Sequence, residues 1–168
     1  MWHYARGLAF AHLDNIKSAE NESALLSKIL NKGPIDNNLQ KNGITLLTIA
    51  DSILKATLAN ARGNEKITIA YLKAAMQKQN AMGYHEPPDW YFPITEILGD
   101  AYLRWNHPKE ALEMYEQDLK QYPKNGWALF GLAKSLRLLG KNQEADRVEN
   151  EFKEAWKYSD ISAPASLF

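Results

Sequence analysis

The sequence predicts an all-α protein assembled from paired antiparallel helices, and three observations predict it. Small residues recur in pairs 12 positions apart: Gly7 with Ala19, Gly99 with Ala111, and Ala133 with Ala145. Each pair brackets a short polar turn, Asp14-Asn15, Asn106-His107 and Gly140-Lys141-Asn142. The last two pairs are themselves in phase, because Gly99 and Ala133 lie 34 residues apart. Small residues at these places let two helix axes cross closely, and a period near 34 residues is that of stacked helix pairs.

Punctuation in the chain then sets eight helices in order. The first runs over about 2–13 and ends at Asp14-Asn15; the second follows over 16–30. Asn31 to Asn38 is dense in Gly, Pro and Asn and reads as an inserted loop. The third helix covers about 44–62, stopped by Gly63, and the fourth 65–80. Pro93 and Pro108 sit where first-turn prolines belong and open helices over 93–105 and 108–121. The last two span 126–139, closed by Gly140, and 142–158, before a polar tail over 159–168. The result is one domain over 1–158 with units at about 1–32, 44–80, 92–124 and 126–158. The second unit is irregular: its first helix is long, and counting 12 back from Ala70 lands on Leu58 instead of a small residue.

Leu98-Gly99, Tyr102, Ala111, Tyr115 and Pro123 resemble the tetratricopeptide-repeat signature, and Leu132-Ala133, Leu136, Ala145 and Phe152 repeat it. The run from Met82 to Asp160, with Glu86-Pro87-Pro88-Asp89-Trp90-Tyr91 inside it, also resembles the C-terminal part of a group of larger bacterial tetratricopeptide proteins. The resemblance implies a right-handed superhelix, an α–α solenoid of about four helix pairs. It further implies a groove lined by the first helix of each pair. With Gly7, Gly99 and Ala133 as the eighth repeat position, the groove positions hold Tyr4, Leu8, Ala11 and His12 in the first unit, Glu96, Asp100, Leu103 and Arg104 in the third, and Phe130, Lys134, Arg137 and Leu138 in the fourth. The chaperone-binding members grip a carboxylate with a Lys and Asn pattern; here Tyr4, Glu96 and Phe130 stand where its first Lys belongs, which disfavours that partner.

Composition narrows the partners. Lys+Arg and Asp+Glu each number 20, so no basic surface is announced and nucleic acid or an anionic membrane is not the expected partner. Cysteine is absent, which excludes disulfides and thiolate zinc sites and fits a reducing, cytoplasmic location. No apolar run is expected to reach the roughly 20 residues of a spanning helix, and the start lacks the layout of a signal peptide.

Chemistry-bearing constellations are few. His3 and His12 are nine apart, about two and a half turns, and so face opposite sides of one helix. No His-Glu-x-x-His motif, phosphate-cradling Gly loop or Gly-x-Ser-x-Gly elbow is present. The segment Tyr84-His85-Glu86-Pro87-Pro88-Asp89-Trp90-Tyr91-Phe92-Pro93 stands out. Its prolines stiffen it, and His85, Glu86, Asp89, Trp90 and Tyr91 form an aromatic and acidic lip over the groove, or Trp90 and Phe92 plug the irregular second unit, which is the favoured reading. The expected function is a non-catalytic scaffold without cofactor or metal. Its groove of Tyr4, His12, Glu96, Asp100, Arg104, Phe130, Lys134 and Arg137 would take a protein or peptide segment. The alternatives are a metal or acid/base site at His85, Glu86 and Asp89, with His3 nearby, and purely structural terminal repeats of a larger protein. Trp2 and Tyr4 on an uncapped first helix suggest a fragment with an apolar face, bare or self-associating, while Glu149, Asn150, Lys153, Glu154 and Lys157 solvate the last helix.

Overall fold

The computed structural model describes residues 1–32, 41–83 and 86–161. Its helices are α1 (Trp2–His12), α2 (Ile16–Asn31), α3 (Lys41–Ala61), α4 (Glu65–Ala81), α5 (Ile94–Arg104), α6 (Pro108–Gln121), α7 (Gly126–Leu138) and α8 (Asn142–Trp156). No strand occurs among the described residues, so the fold is all-α. The expected boundaries hold to within three residues, α3 departing most by starting at Lys41 instead of 44. Of the turn-rich stretch 31–38, Asn31 closes α2 and positions 33–38 lie outside the described residues.

Four helix hairpins share one turn, down to the hydrogen bond. The backbone N–H of Asn15 donates to the Phe10 carbonyl at 2.8 Å, Asn64 to Ala59 at 2.9 Å, His107 to Tyr102 at 2.8 Å and Lys141 to Leu136 at 3.0 Å. The residue before each donor is left-handed: Asp14 at φ 57°, Gly63 at 69°, Asn106 at 59° and Gly140 at 74°. This six-residue closure satisfies carbonyls that the ending helix leaves open, and it selects Gly, Asn or Asp because their short side chains tolerate positive φ. The next residue then caps the following helix. The side chains of Asn15 and Asn64 accept from Ser18 and Ile67 at 3.3 Å and 3.2 Å, while Pro108 after His107 removes one donor that would need a cap.

This turn supplies an internal ruler. Four residues after each cap, Ala19, Thr68, Ala111 and Ala145 are all 0% exposed, and each N–H returns to the cap carbonyl at 3.0–3.1 Å. Twelve residues earlier stand Gly7, Ala56, Gly99 and Ala133, all buried. The register expected for the second hairpin is therefore corrected by two residues: the crossing pair is Ala56 and Thr68, and Ala70 is exposed. Thr68 escapes notice as a small crossing residue because it is polar; its hydroxyl is satisfied by donating to the Asn64 carbonyl at 2.9 Å.

The helices gather into two compact units, Met1–Phe92 with α1 to α4 and Pro93–Phe168 with α5 to α8. In each, the first helix of the second hairpin packs on both helices of the first: α3 on α1 and α2, and α7 on α5 and α6. The two crossings are filled from opposite sides. In the second unit Tyr115 of α6 wedges its ring between α5 and α7, so that a Cβ added at Gly99 would lie 2.7 Å from its Cζ and one at Gly131 would overlap it. In the first unit the place equivalent to Tyr115 holds Ser23, and the bulk comes from Leu54 of α3, at the place of Gly131. A Cβ at Gly7 would lie 2.6 Å from Leu54 Cδ2. Volume is kept while its donor moves between helices, the kind of exchange that close-packed interiors tolerate.

One composition reading needs correction. Gly43–Ala61 is 19 residues long and apolar enough, by length and composition, to cross a membrane. Its apolar residues Ile49, Ala50, Ile53, Leu54 and Ala56 are at most 2% exposed within this fold, which accounts for a hydrophobic run that packing on several sides requires.

Candidate functional site

The site residues inferred from sequence fall into three environments. Three that were expected to line an open groove are buried: Tyr4 at 4%, Glu96 at 2% and Asp100 at 6% exposure. Arg104, Phe130, Lys134 and Arg137 are exposed, as is His12. Of the lip, Glu86, Asp89 and Tyr91 are exposed, Trp90 is buried, and His85 lies outside the described residues.

In the second unit the burial of Glu96 has a definite cause. Asn125, which caps α7 by accepting from the Trp127 N–H at 3.2 Å, turns its amide nitrogen toward two carboxylates. It donates to Glu96 Oε1 and, at 2.8 Å, to Asp118 Oδ1. Asp118 Oδ2 accepts from the Thr95 hydroxyl at 2.6 Å. A single amide thus joins α5, α6 and the start of α7. The other oxygen of Glu96, Oε2, is buried and has no hydrogen-bond partner. Desolvation pushes the Glu96 carboxyl from 4.5 up to about 7, opposed by the Asn125 hydrogen bond and assisted by the charge of Asp118. Burial likewise raises Asp118 above its ordinary range, against the hydrogen bonds from Thr95 and Asn125. The Tyr115 hydroxyl is pushed up by burial, then by Asp100, Glu96 and Asp118. Asp100 is neutralised on its own helix by Arg104 Nε at 2.9 Å.

Asp118, Asn125 and Thr95 were not among the site residues expected from sequence. A signal did exist. Eleven residues after the cap, the other hairpins carry Leu26, Ala75 and Phe152, so a carboxylate at Asp118 interrupts an otherwise apolar position.

Arg137 is exposed, but its guanidinium is engaged. It lies in the last turn of α7 and reaches across the turn to α8, where Nε and Nη2 each donate to a Glu149 oxygen at 2.9 Å and Nη2 also bonds Asp146. The Glu149 and Asp146 bonds raise the guanidinium pKa, and Arg137 in turn lowers that of Glu149. Phe130, Lys134 and Leu138 recur every four residues and leave an exposed stripe on α7, with Phe130 36% and Leu138 52% exposed.

In the first unit Tyr4, Trp90 and Tyr91 come together. The Tyr4 and Trp90 rings are 5.7 Å apart at 57°, and the Tyr4 and Tyr91 hydroxyls are 3.2 Å apart. Burial, then the Tyr91 bond, holds the Tyr4 phenol well above its ordinary value. His3 meets no metal ligand but Glu22, its Nδ1 lying 2.6 Å from Oε2, and Arg6 pairs with the same carboxylate at 3.2 Å. Among the described residues no group of three His, Cys, Asp or Glu side chains is placed to hold a metal ion. A cavity of about 410 Å³ opens between α2, α3 and α4, lined by Ser27, Leu58, Ile67 and Tyr71 among others. Its two cations are already engaged, Lys55 by Asp51 at 2.6 Å and Arg62 by Glu20. Trp2 at 69% and Leu13 at 77% exposure leave an apolar face on α1, partly covered by the Arg6 guanidinium 5.5 Å from the Trp2 ring and 5.6 Å from that of Phe10. No model of a known protein family matches this chain, and no curated protein sequence matches it either.

Proposed function

We propose that this chain is a non-catalytic scaffold of tetratricopeptide-repeat type that binds a peptide or protein segment. Support for the repeat reading comes from the four hairpins with one shared turn and one buried small-residue pair 12 apart. The binding reading rests on the exposed stripe of α7: Phe130 and Leu138 offer apolar surface and Lys134, between them, a cation. Such a stripe suits an amphipathic segment with apolar side chains and a carboxylate at matching spacing. Selection of random peptides on the full chain tests it. Enriched peptides should carry an acidic residue among apolar ones and lose at least about tenfold in affinity on Phe130→Ala or Lys134→Glu, a loss of roughly 1.4 kcal/mol. Peptides that bind both variants as well as the parent would remove this surface from consideration.

A further inference from the structure

Each unit is held together by one kind of joint, a first helix laid on the hairpin before it, as α3 lies on α1 and α2 and α7 on α5 and α6. Counted from the small residue of the first helix, the position two before it makes the contact in both units: Gly131 of α7 meets Tyr115 of α6, and Leu54 of α3 meets Gly7 of α1. The positions on the same side of that helix lie five and one before the small residue, and two and three after it. In α7 they hold Ala128, Leu132, Ser135 and Leu136, all buried. In α3 they hold Asp51, Leu58 and Ala59, also buried, and Lys55, half-buried. In α1 the five positions hold Trp2, Ala5, Arg6, Ala9 and Phe10, of which the first four are exposed and Phe10 is half-buried. α1 thus carries the joining face and leaves it uncovered.

The receiving half of the joint is uncovered on α7 and α8. Glu96, which Asn125 at the start of α7 roofs over, is buried, whereas Phe130 at the same repeat position is exposed. Leu26 and Asp118 are each 1% exposed, whereas their counterpart Phe152 is half-buried. Phe130, Phe152 and Trp156 form a run of rings with 5.6 Å between successive centroids.

We propose that the α1 face of one copy of this chain docks on the α7–α8 face of another, repeating between molecules the joint that each unit makes within itself. A second copy is the fitting occupant because the two uncovered faces are the two halves of one joint. The small Ala5 and Ala9 allow close approach, and Trp2 and Phe10 meet an aromatic surface. The register sets Ala5 of one copy over Glu149 of the next, the counterparts of Gly131 and Tyr115. Such a contact is heterologous, so a bound copy still presents one free face of each kind. It shares only Phe130 with the peptide-binding stripe of α7, and the test leaves Phe130 unchanged.

Sedimentation velocity of the full chain from about 1 µM to about 1 mM should show a mean mass that rises with concentration. Ala5→Glu, at an exposed site, sets a second carboxylate against Glu149 and should leave a monomer. Phe152→Glu blocks the other face and should also leave a monomer, yet the two variants mixed should form a one-to-one dimer through their intact faces. Should Phe152→Glu fail to fold, crosslinking replaces it, since the chain has no cysteine of its own. A short bismaleimide should join Ala5→Cys chains to Glu149→Cys chains and should join neither kind to itself. A parent mass that stays constant, an Ala5→Glu variant that still assembles, or links between two Ala5→Cys chains would overturn the proposal.

Discussion

Glu96 is the residue on which physical chemistry makes its sharpest demand. Its carboxyl is raised from 4.5 to about 7, so the folded state holds a proton that the unfolded chain has already released. Stability from this group is fully present below about pH 4.5 and is lost as pH rises through about 7; the shift corresponds to an effect on the order of 3 kcal/mol. Asp118, also raised, acts with the same sign. Glu149, lowered by Arg137, acts with the opposite sign, so the comparison of parent with Glu96→Gln isolates the buried group. Urea denaturation at about pH 5 and pH 8 should show the parent losing stability relative to Glu96→Gln; parallel profiles would mean that Glu96 is not desolvated. Asn125→Ala strips hydrogen bonds from both carboxylates and should cost about 2 kcal/mol at neutral pH, with the deficit shrinking in acid as the carboxyls protonate. None of this burial was legible locally, since Glu96 and Asp100 read as groove residues on an exposed helix face. For Glu96 those surroundings come from Asp118 and Asn125, more than 20 residues downstream.

At the scale of elements the chain is more transparent, because helix ends are written in single residues. Asn15, Gly63, Pro108 and Gly140 each mark a boundary that the hairpin turns confirm. The second hairpin was misread because Thr68 replaces an alanine and Ala70, two residues on, imitates one. That equivalence can be checked: Thr68→Ala should be neutral or stabilising by a few tenths of a kcal/mol, since alanine fills this place in the other three hairpins and is the better helix former. Ala111→Leu at the matching place should overpack the crossing and cost about 1–3 kcal/mol. A large loss on Thr68→Ala in thermal unfolding would contradict this, showing that the second crossing needs the bulk or the hydroxyl of threonine and is not equivalent to the alanine crossings.

For the whole molecule, the recurrent theme is one packing scheme executed twice, with the bulky residue supplied by different helices. Tyr115 fills the crossing between Gly99 and Gly131; Leu54 fills the equivalent space over Gly7, opposite the small Ser23. The exchange was not readable from periodicity, because it depends on partners brought together only by folding. The central claim, that both units are instances of one repeat, is tested most directly by converting the second crossing to the scheme of the first. A double-mutant cycle of Tyr115→Ser and Gly131→Leu, followed by urea denaturation, measures it. Each single change should cost at least about 3 kcal/mol, one by a cavity and the other by a clash. Together they should cost less than their sum by about 2 kcal/mol or more, a coupling expected of residues that share one space. Additive losses would contradict the account, since they would mean that the two crossings are not the same crossing.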